Sequence, residues 1–276
     1  MENNKKRRGM KEIRAYAKQR PKVFTVYVIL RLLVVAVLVR SAMLKEYESM
    51  FVCLLVLVLF MLPSFLERKL KIELPDTLEI IILVFIFAAE ILGELECYFI
   101  QYPNWDTILH TTSGFLCAAI GFSLVNLLNK DNRISLSLSP LYMAIAAFCF
   151  SMTIGVLWEF IEFSADRLFL LDMQKDTVVN TIGSIMLDPT GGNTSTVLKN
   201  ITDVIVVQAD GTQTALGLGG YLDIGLLDTM EDLFVNFIGA VTFSVIGYFY
   251  IKHRGKGKLA RAFIPTLSEQ EEQDPA

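Results

Sequence analysis

Cysteine and histidine are scarce in this chain, with four of the first and two of the second among 276 residues. Cys53, Cys97, Cys117 and Cys149 show neither the spacing of a disulfide framework nor that of a zinc site. All four fall inside apolar runs, where a thiol packs as a small hydrophobe. No internal repeat is evident, so an inverted-repeat transporter fold finds no support. No nucleophile elbow is recognisable, and Ser113, near His110, lacks the flanking pattern. No clear small-residue cleavage site follows the first apolar run, and that run contains Arg31, so it is expected as an uncleaved first span rather than a leader. Charge is also thin, at 20% of residues, against about 25% in an ordinary soluble domain.

What the chain has instead is hydrocarbon. Hydrophobic residues reach 53% and the mean hydropathy is +0.49. They come in runs at about 23–42, 49–66, 77–100, 107–128, 140–164 and 231–251, each near the ~20 residues that cross a bilayer as a helix. The expected fold is an all-α membrane protein, a six-span helical bundle with a small extracytoplasmic β-rich insertion between spans five and six. The expected divisions are a basic N-terminal segment (1–22), spans one to five (23–166), the outer loop (167–230), the sixth span (231–251) and a tail (252–276).

Lysine and arginine orient the bundle. Nine lie before the first span, and Arg68, Lys69, Lys71, Lys130, Arg133, Lys252, Arg254, Lys256, Lys258 and Arg261 fall on the same side of a six-span topology. The opposite side holds only Lys45, Arg167, Lys175 and Lys199. Positive residues stay inside, so both termini are expected in the cytoplasm of a bacterial inner membrane. The basic N-terminus lies against anionic headgroups in this reading, and membrane lipids are the first expected partner. No nucleic-acid partner is expected. Arg31 is expected to snorkel to the inner interface; Arg40, at the outer end of the first span, either meets the acidic cluster or a lipid phosphate or, more simply, snorkels outward.

That topology carries four polar sets to the outer side: Glu90 and Glu94; Asp106 and His110; Glu159 and Glu162; and Asp228, Asp232 and Asn236. Asp106 and His110 are one turn apart on one helical face, about 6 Å along the axis. Glu159 and Glu162 are spaced i, i+3, while Asp228, Asp232 and Asn236 step by four. Glu96 lies round the helix from Glu94 and is expected to face outer water. Ionisable groups in hydrocarbon are costly and mark function by default. Nearly all of these share one sign, so a cation or protons must compensate them. His110, Glu159, Glu162, Asp228 and Asp232 are the candidate ligands of a divalent metal whose identity the sequence leaves open. Asp106 and His110 are the candidate general acid–base residues. Glu90, Glu94 and Asn236 support them. Three of the acids also have a plain structural reading: Asp106 and Asp228 as helix caps, Glu159 as a helix end with Trp158 in an aromatic belt; His110, Glu162, Asp232 and Asn236, a turn or more inside their spans, resist it.

Within the outer loop, Thr177 to Leu187 and Ile201 to Gln208 read as strands, Asp188-Pro189-Thr190-Gly191-Gly192-Asn193 as a turn, and Asp210-Gly211 as a hairpin turn. Leu216 to Gly220 reads as a flexible connection, and the acidic tail from about Pro265 as disordered.

The motif Trp105-Asp106-(x)3-His110, followed by Gly114 and Phe115, resembles the fourth-span motif of the YjdF-type bacterial inner-membrane proteins. Leu157-Trp158-Glu159-Phe160-Ile161-Glu162 resembles their "YEFIE" segment, and Asp228-Thr229-Met230-Glu231-Asp232-Leu233 their "DTQWDM" segment. Met173-Gln174-Lys175-Asp176-Thr177 is similar to their "TQGD" piece, with Lys175 where glycine is usual. The match runs from about residue 77 to 250. Asp232-(x)3-Asn236-(x)2-Gly239 is also similar to an element of the VanZ-like membrane proteins. The resemblance implies that the same polar residues form a site. It carries no assigned activity, only a hint toward the cell envelope from glycopeptide-antibiotic resistance among VanZ-like proteins. Three functions remain open: an envelope enzyme acting on a lipid-linked or phosphate-bearing substrate, a structural or regulatory membrane protein, and a cation- or proton-coupled transporter. Largely apolar inner halves of the spans count against the last.

Overall fold

A computed structural model of the chain describes residues 16–70, 72–130 and 138–267. The basic residues before Tyr16, Lys71, Arg133 and the acidic residues from Glu269 onward lie outside the described residues.

Among the described residues, five helices are long and apolar enough to cross a membrane: Pro21–Leu44, Tyr47–Lys69, Trp105–Leu128, Pro140–Phe169 and Leu226–Lys252. We name α1 (Pro21–Leu44), α2 (Tyr47–Leu59) and α3 (Leu62–Leu70), the last two being one bent rod. Then come strand β1 (Ile72–Glu73), α4 (Asp76–Ile86), a π-helical segment (Phe87–Leu95), α5 (Tyr98–Gln101), α6 (Trp105–Lys130) and α7 (Pro140–Phe169). The third apolar run, expected as one α-helical span, thus winds in two modes. In the π segment each N–H bonds five residues back, and a turn takes more residues. The Glu96 N–H, bonded to the Ile91 carbonyl, ends that pattern. Side chains therefore change face relative to an α-helix. Glu94 is exposed, and Glu96, expected to face water, pairs with Arg40 at 3.1 Å.

The α2–α3 bend has a local cause. Pro63 has no N–H, and Met61 donates to the Val58 carbonyl, so the Leu57 carbonyl loses its usual helical donor. The Arg31 guanidinium approaches that carbonyl at 3.5 Å and lies 5.0 Å from the Tyr27 ring centroid. Arg31 therefore caps a helix bend.

The chain forms two compact units, residues 1–154 with 235–276, and residues 155–234. The first holds two hydrophobic clusters. One joins Leu30 and Val34 of α1 to Cys53, Val56 and Phe60 of the second rod and to Leu83, Ile86 and Ile91. The other joins Leu116 and Phe122 of α6, Met143 of α7, Phe243 of α8 (Leu226–Lys252) and Phe263 and Ile264 beyond it. Between helices in lipid such side chains stabilise by close van der Waals packing rather than by leaving water. The residues after α8 form α9 (Lys258–Arg261) and β8 (Thr266–Leu267), and β8 pairs antiparallel with β1. The tail expected to be disordered from Pro265 instead has Pro265 buried and is ordered to Leu267.

Helices α6 and α8 cross closely in this unit. A Cβ on Gly239 would collide with the Thr111 carbonyl oxygen, and one on Gly114 with the Asn236 carbonyl oxygen. Only glycine lets two backbones approach so far. The Ser151 hydroxyl donates to the Gly114 carbonyl at 2.7 Å, tying α7 to the same point.

The second unit carries short strands: β2 (Val178–Val179), β3 (Thr181–Ser184), β4 (Thr196–Lys199), β5 (Ile205–Val207), β6 (Gln213–Ala215) and β7 (Tyr221–Leu222). The pairs are β2–β7, β3–β4 and β5–β6, all antiparallel. The expected strand from Thr177 to Leu187 is split at Asn180. Its side-chain amide donates to the Ile201 and Gly219 carbonyls, and a 3₁₀ turn, Ile185–Leu187, ends β3. The expected strand from Ile201 to Gln208 is reduced to Ile205–Val207, and β4 is an addition. The Asp210-Gly211 turn closes the β5–β6 hairpin, with Gly211 at φ 88°.

Candidate functional site

The second unit gathers three acids. Glu159 and Glu162 lie near the end of α7 and Asp232 near the start of α8. Each offers a carboxylate oxygen, and these oxygens lie within 4.8 Å of one another. The residues are only 5%, 7% and 3% exposed. The i, i+3 spacing puts both glutamates on one face of α7. The adjoining face carries Leu157, Phe160, Ile161 and Phe163, all exposed, as suits a lipid-facing surface. Trp158 is 43% exposed, and its indole N–H donates to Glu162 Oε1 at 2.8 Å. The expected belt tryptophan therefore also orients a glutamate.

A loop ties the two helix ends together and so places these acids. Asp166, one turn past Glu162, accepts the N–H groups of Met173 at 2.7 Å and Gln174 at 2.9 Å. Asp228 accepts the Lys175 N–H at 2.8 Å, and the Gln174 amide bonds the Thr229 hydroxyl. Asp223 accepts the Thr177 N–H at 2.7 Å and the Leu227 N–H at 2.8 Å, satisfying a donor at the start of α8. Gly225 has φ 84° and sits against Gln174, where a side chain would collide. The segment 173–175 is thus a strap from α7 to α8, made by backbone N–H groups on carboxylates. Asp228, expected among the metal ligands, takes this clamping position. Partial burial and the nearby Asp172, Asp223 and Asp166 carboxylates push Asp176 above its ordinary value.

The remaining expected residues lie in the first unit. Asp106 and His110 form their pair in the first two turns of α6, with Oδ1 and Nε2 3.4 Å apart. Asn236, buried in α8, donates its amide to the Met152 sulfur at 3.5 Å and presses its backbone on Gly114. Glu90 is half-buried and Glu94 exposed, both in the π segment. The indole N–H of Trp105 donates to the Ala88 carbonyl of that segment at 3.3 Å, linking it to the start of α6.

Sequence reasoning missed one polar node. The Arg20 guanidinium meets Asp76 at 2.7 Å, Glu79 at 2.8 Å and Glu67 at 3.2 Å, and also bonds the Leu74 carbonyl. The Tyr16 hydroxyl donates to Glu79 at 2.8 Å, and Glu79 is buried. These partners are 47 to 63 residues apart in sequence, but acids opening an apolar run at Asp76 and Glu79 were a visible signal.

Compared with known families, residues 26–253 match the model of a family described as predicted membrane protein, DUF2238. No curated protein and no solved structure matches the chain.

Proposed function

This chain belongs to the DUF2238 family of predicted membrane proteins, and we propose that it is an envelope protein holding a divalent cation on Glu159, Glu162 and Asp232. One observation carries the reading: three buried carboxylates of like sign share a space within 4.8 Å. Such groups repel unless a cation or shared protons relieve them. Oxygen donors alone suit a hard cation such as Mg²⁺ or Ca²⁺, or Mn²⁺. The bound cation would hold the phosphate of a lipid-linked substrate and draw charge from it as a Lewis acid. His110, beside Asp106, is a proton acceptor suited to hydrolysis or transfer.

The finer topology belongs to the same reading. The segment Asp76–Leu95 is a further crossing, so the bundle has six spans and both termini lie in the cytoplasm of a bacterial inner membrane. The strands between α7 and α8 then face outward.

A second reading has the acids fastening the bundle with no cation. The Asn236–Met152 and Ser151–Gly114 contacts between helices favour it, since interhelical polar contacts are worth about 0.6–2 kcal/mol each.

Metal content of the purified protein in nanodiscs separates the two. The expected outcome is one divalent ion per chain, with affinity lowered at least about tenfold by Asp232→Asn or Glu162→Gln. A wild type that holds no ion after equilibration with Mg²⁺, Ca²⁺ and Mn²⁺ leaves only the fastening role.

A further inference from the structure

The residues after the last long helix do not trail away from the bundle. They turn at Arg254 and Gly255, both with positive φ, and re-enter it. The Gly255 N–H bonds the Tyr250 carbonyl, which reverses the chain within one turn of the end of α8. Ala260, Phe263, Ile264 and Pro265 are buried. The Phe263 ring stands edge-on to Phe115 of α6 at 4.9 Å and contacts Phe243 of α8 at 6.4 Å. Phe243 lies about 13 Å along the helix from Lys252. The returning segment therefore climbs well into the bundle interior from its Lys252 end.

Its attachments differ in kind from those of the long helices. Two residues pair with β1, at Ile72↔Leu267 and Glu73↔Thr266, and a four-residue helix presents Ala260 inward and Leu259 outward. The rest is side-chain insertion between α6 and α8. Leu116, Ala119 and Phe122 belong to the same hydrophobic cluster as Ala260, Phe263 and Ile264, and the segment can withdraw from it without taking any long helix out of the bilayer.

We propose that residues 258–267 are a displaceable plug that closes the Lys252 end of the bundle interior. Seated, it keeps water away from Ala118, Ala119 and Phe122 and braces α6 through Phe115. The plug depends on neither the cation nor the substrate suggested above.

The test uses the full-length chain in nanodiscs, where both faces meet solvent, with the native cysteines replaced. Glu73→Cys with Thr266→Cys places two thiols on paired strand positions, within disulfide reach. The expected result is efficient cross-linking in the resting protein. A separate Ala119→Cys reporter is expected to resist a hydrophilic maleimide, and to react at least tenfold faster when Phe263→Ala is added. Should Phe263→Ala fail to fold, the reporter is read in the cross-linkable chain, oxidised against reduced, where oxidation is expected to slow labelling. Failure to cross-link, or equal Ala119→Cys reactivity with the plug held and freed, overturns the proposal.

Discussion

Arg20 and Arg40 make a controlled contrast at the scale of single residues. Both pair with glutamate, but Arg20 serves Glu79, whose side chain is 4% exposed, whereas Arg40 and Glu96 are 53% and 37% exposed. Removing a buried charge's partner costs about 3–5 kcal/mol, because the charge is left stranded. An exposed pair contributes about 0–1 kcal/mol. Tyr16 still donates to Glu79, which puts the expected loss for Arg20→Ala at the lower end, about 3 kcal/mol. Thermal unfolding in detergent should show a clear drop for Arg20→Ala and almost none for Arg40→Ala. Equal effects would contradict the burial argument. The sequence showed the acids Asp76 and Glu79 opening an apolar run and set Arg40 near the outer acids, but Arg20 counted only as positive charge and Glu96 as a residue facing water. Their partners are distant along the chain, and the π segment rotates Glu94 and Glu96 away from α-helical positions.

The α6–α8 crossing and the β5–β6 hairpin make separate claims at the scale of elements. Alanine at Gly239 or Gly114 forces the helices apart, and such overpacking costs about 1–3 kcal/mol. Both positions serve one crossing, so the double variant should lose less than the sum of the singles. Additive losses in melting experiments would mean two independent contacts. At the hairpin, Asp210 accepts the Thr212 N–H at 2.9 Å, and that bond holds its carboxyl below the ordinary value. The carboxylate form therefore favours the folded turn. Its contribution is present above the unfolded value near 3.9 and is lost as pH falls through the lowered folded value. Hydrogen exchange over 205–215, corrected for intrinsic rates, should show protection falling in acid. Asp210→Asn should remove that pH dependence. The hairpin was legible because Asp-Gly is a turn signal of its own. The split at Asn180 was not, because it needs the Ile201 and Gly219 carbonyls brought near by the fold.

Parity decides the topology of the whole molecule. Five crossings put the termini on opposite sides, and six put them together. Asp76–Leu95 is the segment in question, apolar apart from Asp76, Glu79, Glu90 and Glu94, and π-wound over nearly half its length. If it crosses, the basic residues fall overwhelmingly on one side. If it does not, Lys252, Arg254, Lys256, Lys258 and Arg261 lie outside, against the positive-inside tendency. Reporter fusions at each end of the full chain should both report cytoplasm. An N-terminal reporter inside with a C-terminal one outside would remove the sixth crossing.

The sequence by itself determined that this is a multi-pass membrane protein, because long apolar runs can satisfy their backbone in a bilayer only as helices. It also placed Glu159, Glu162 and Asp232 in a larger set of candidates with His110, Asp106 and Asp228, since ionisable groups are costly enough in such runs to stand out. Tertiary structure decided the rest. The loop bonds of Asp166, Asp223 and Asp228 place the two glutamates beside Asp232. The apolar Phe263-Ile264 pair inside a basic tail hinted at its return to the core, but only the rings of Phe115 and Phe243 provide its seat. Hydropathy and helical spacing are local properties, whereas a shared carboxylate space and a seated ring depend on segments that meet only when the chain is folded.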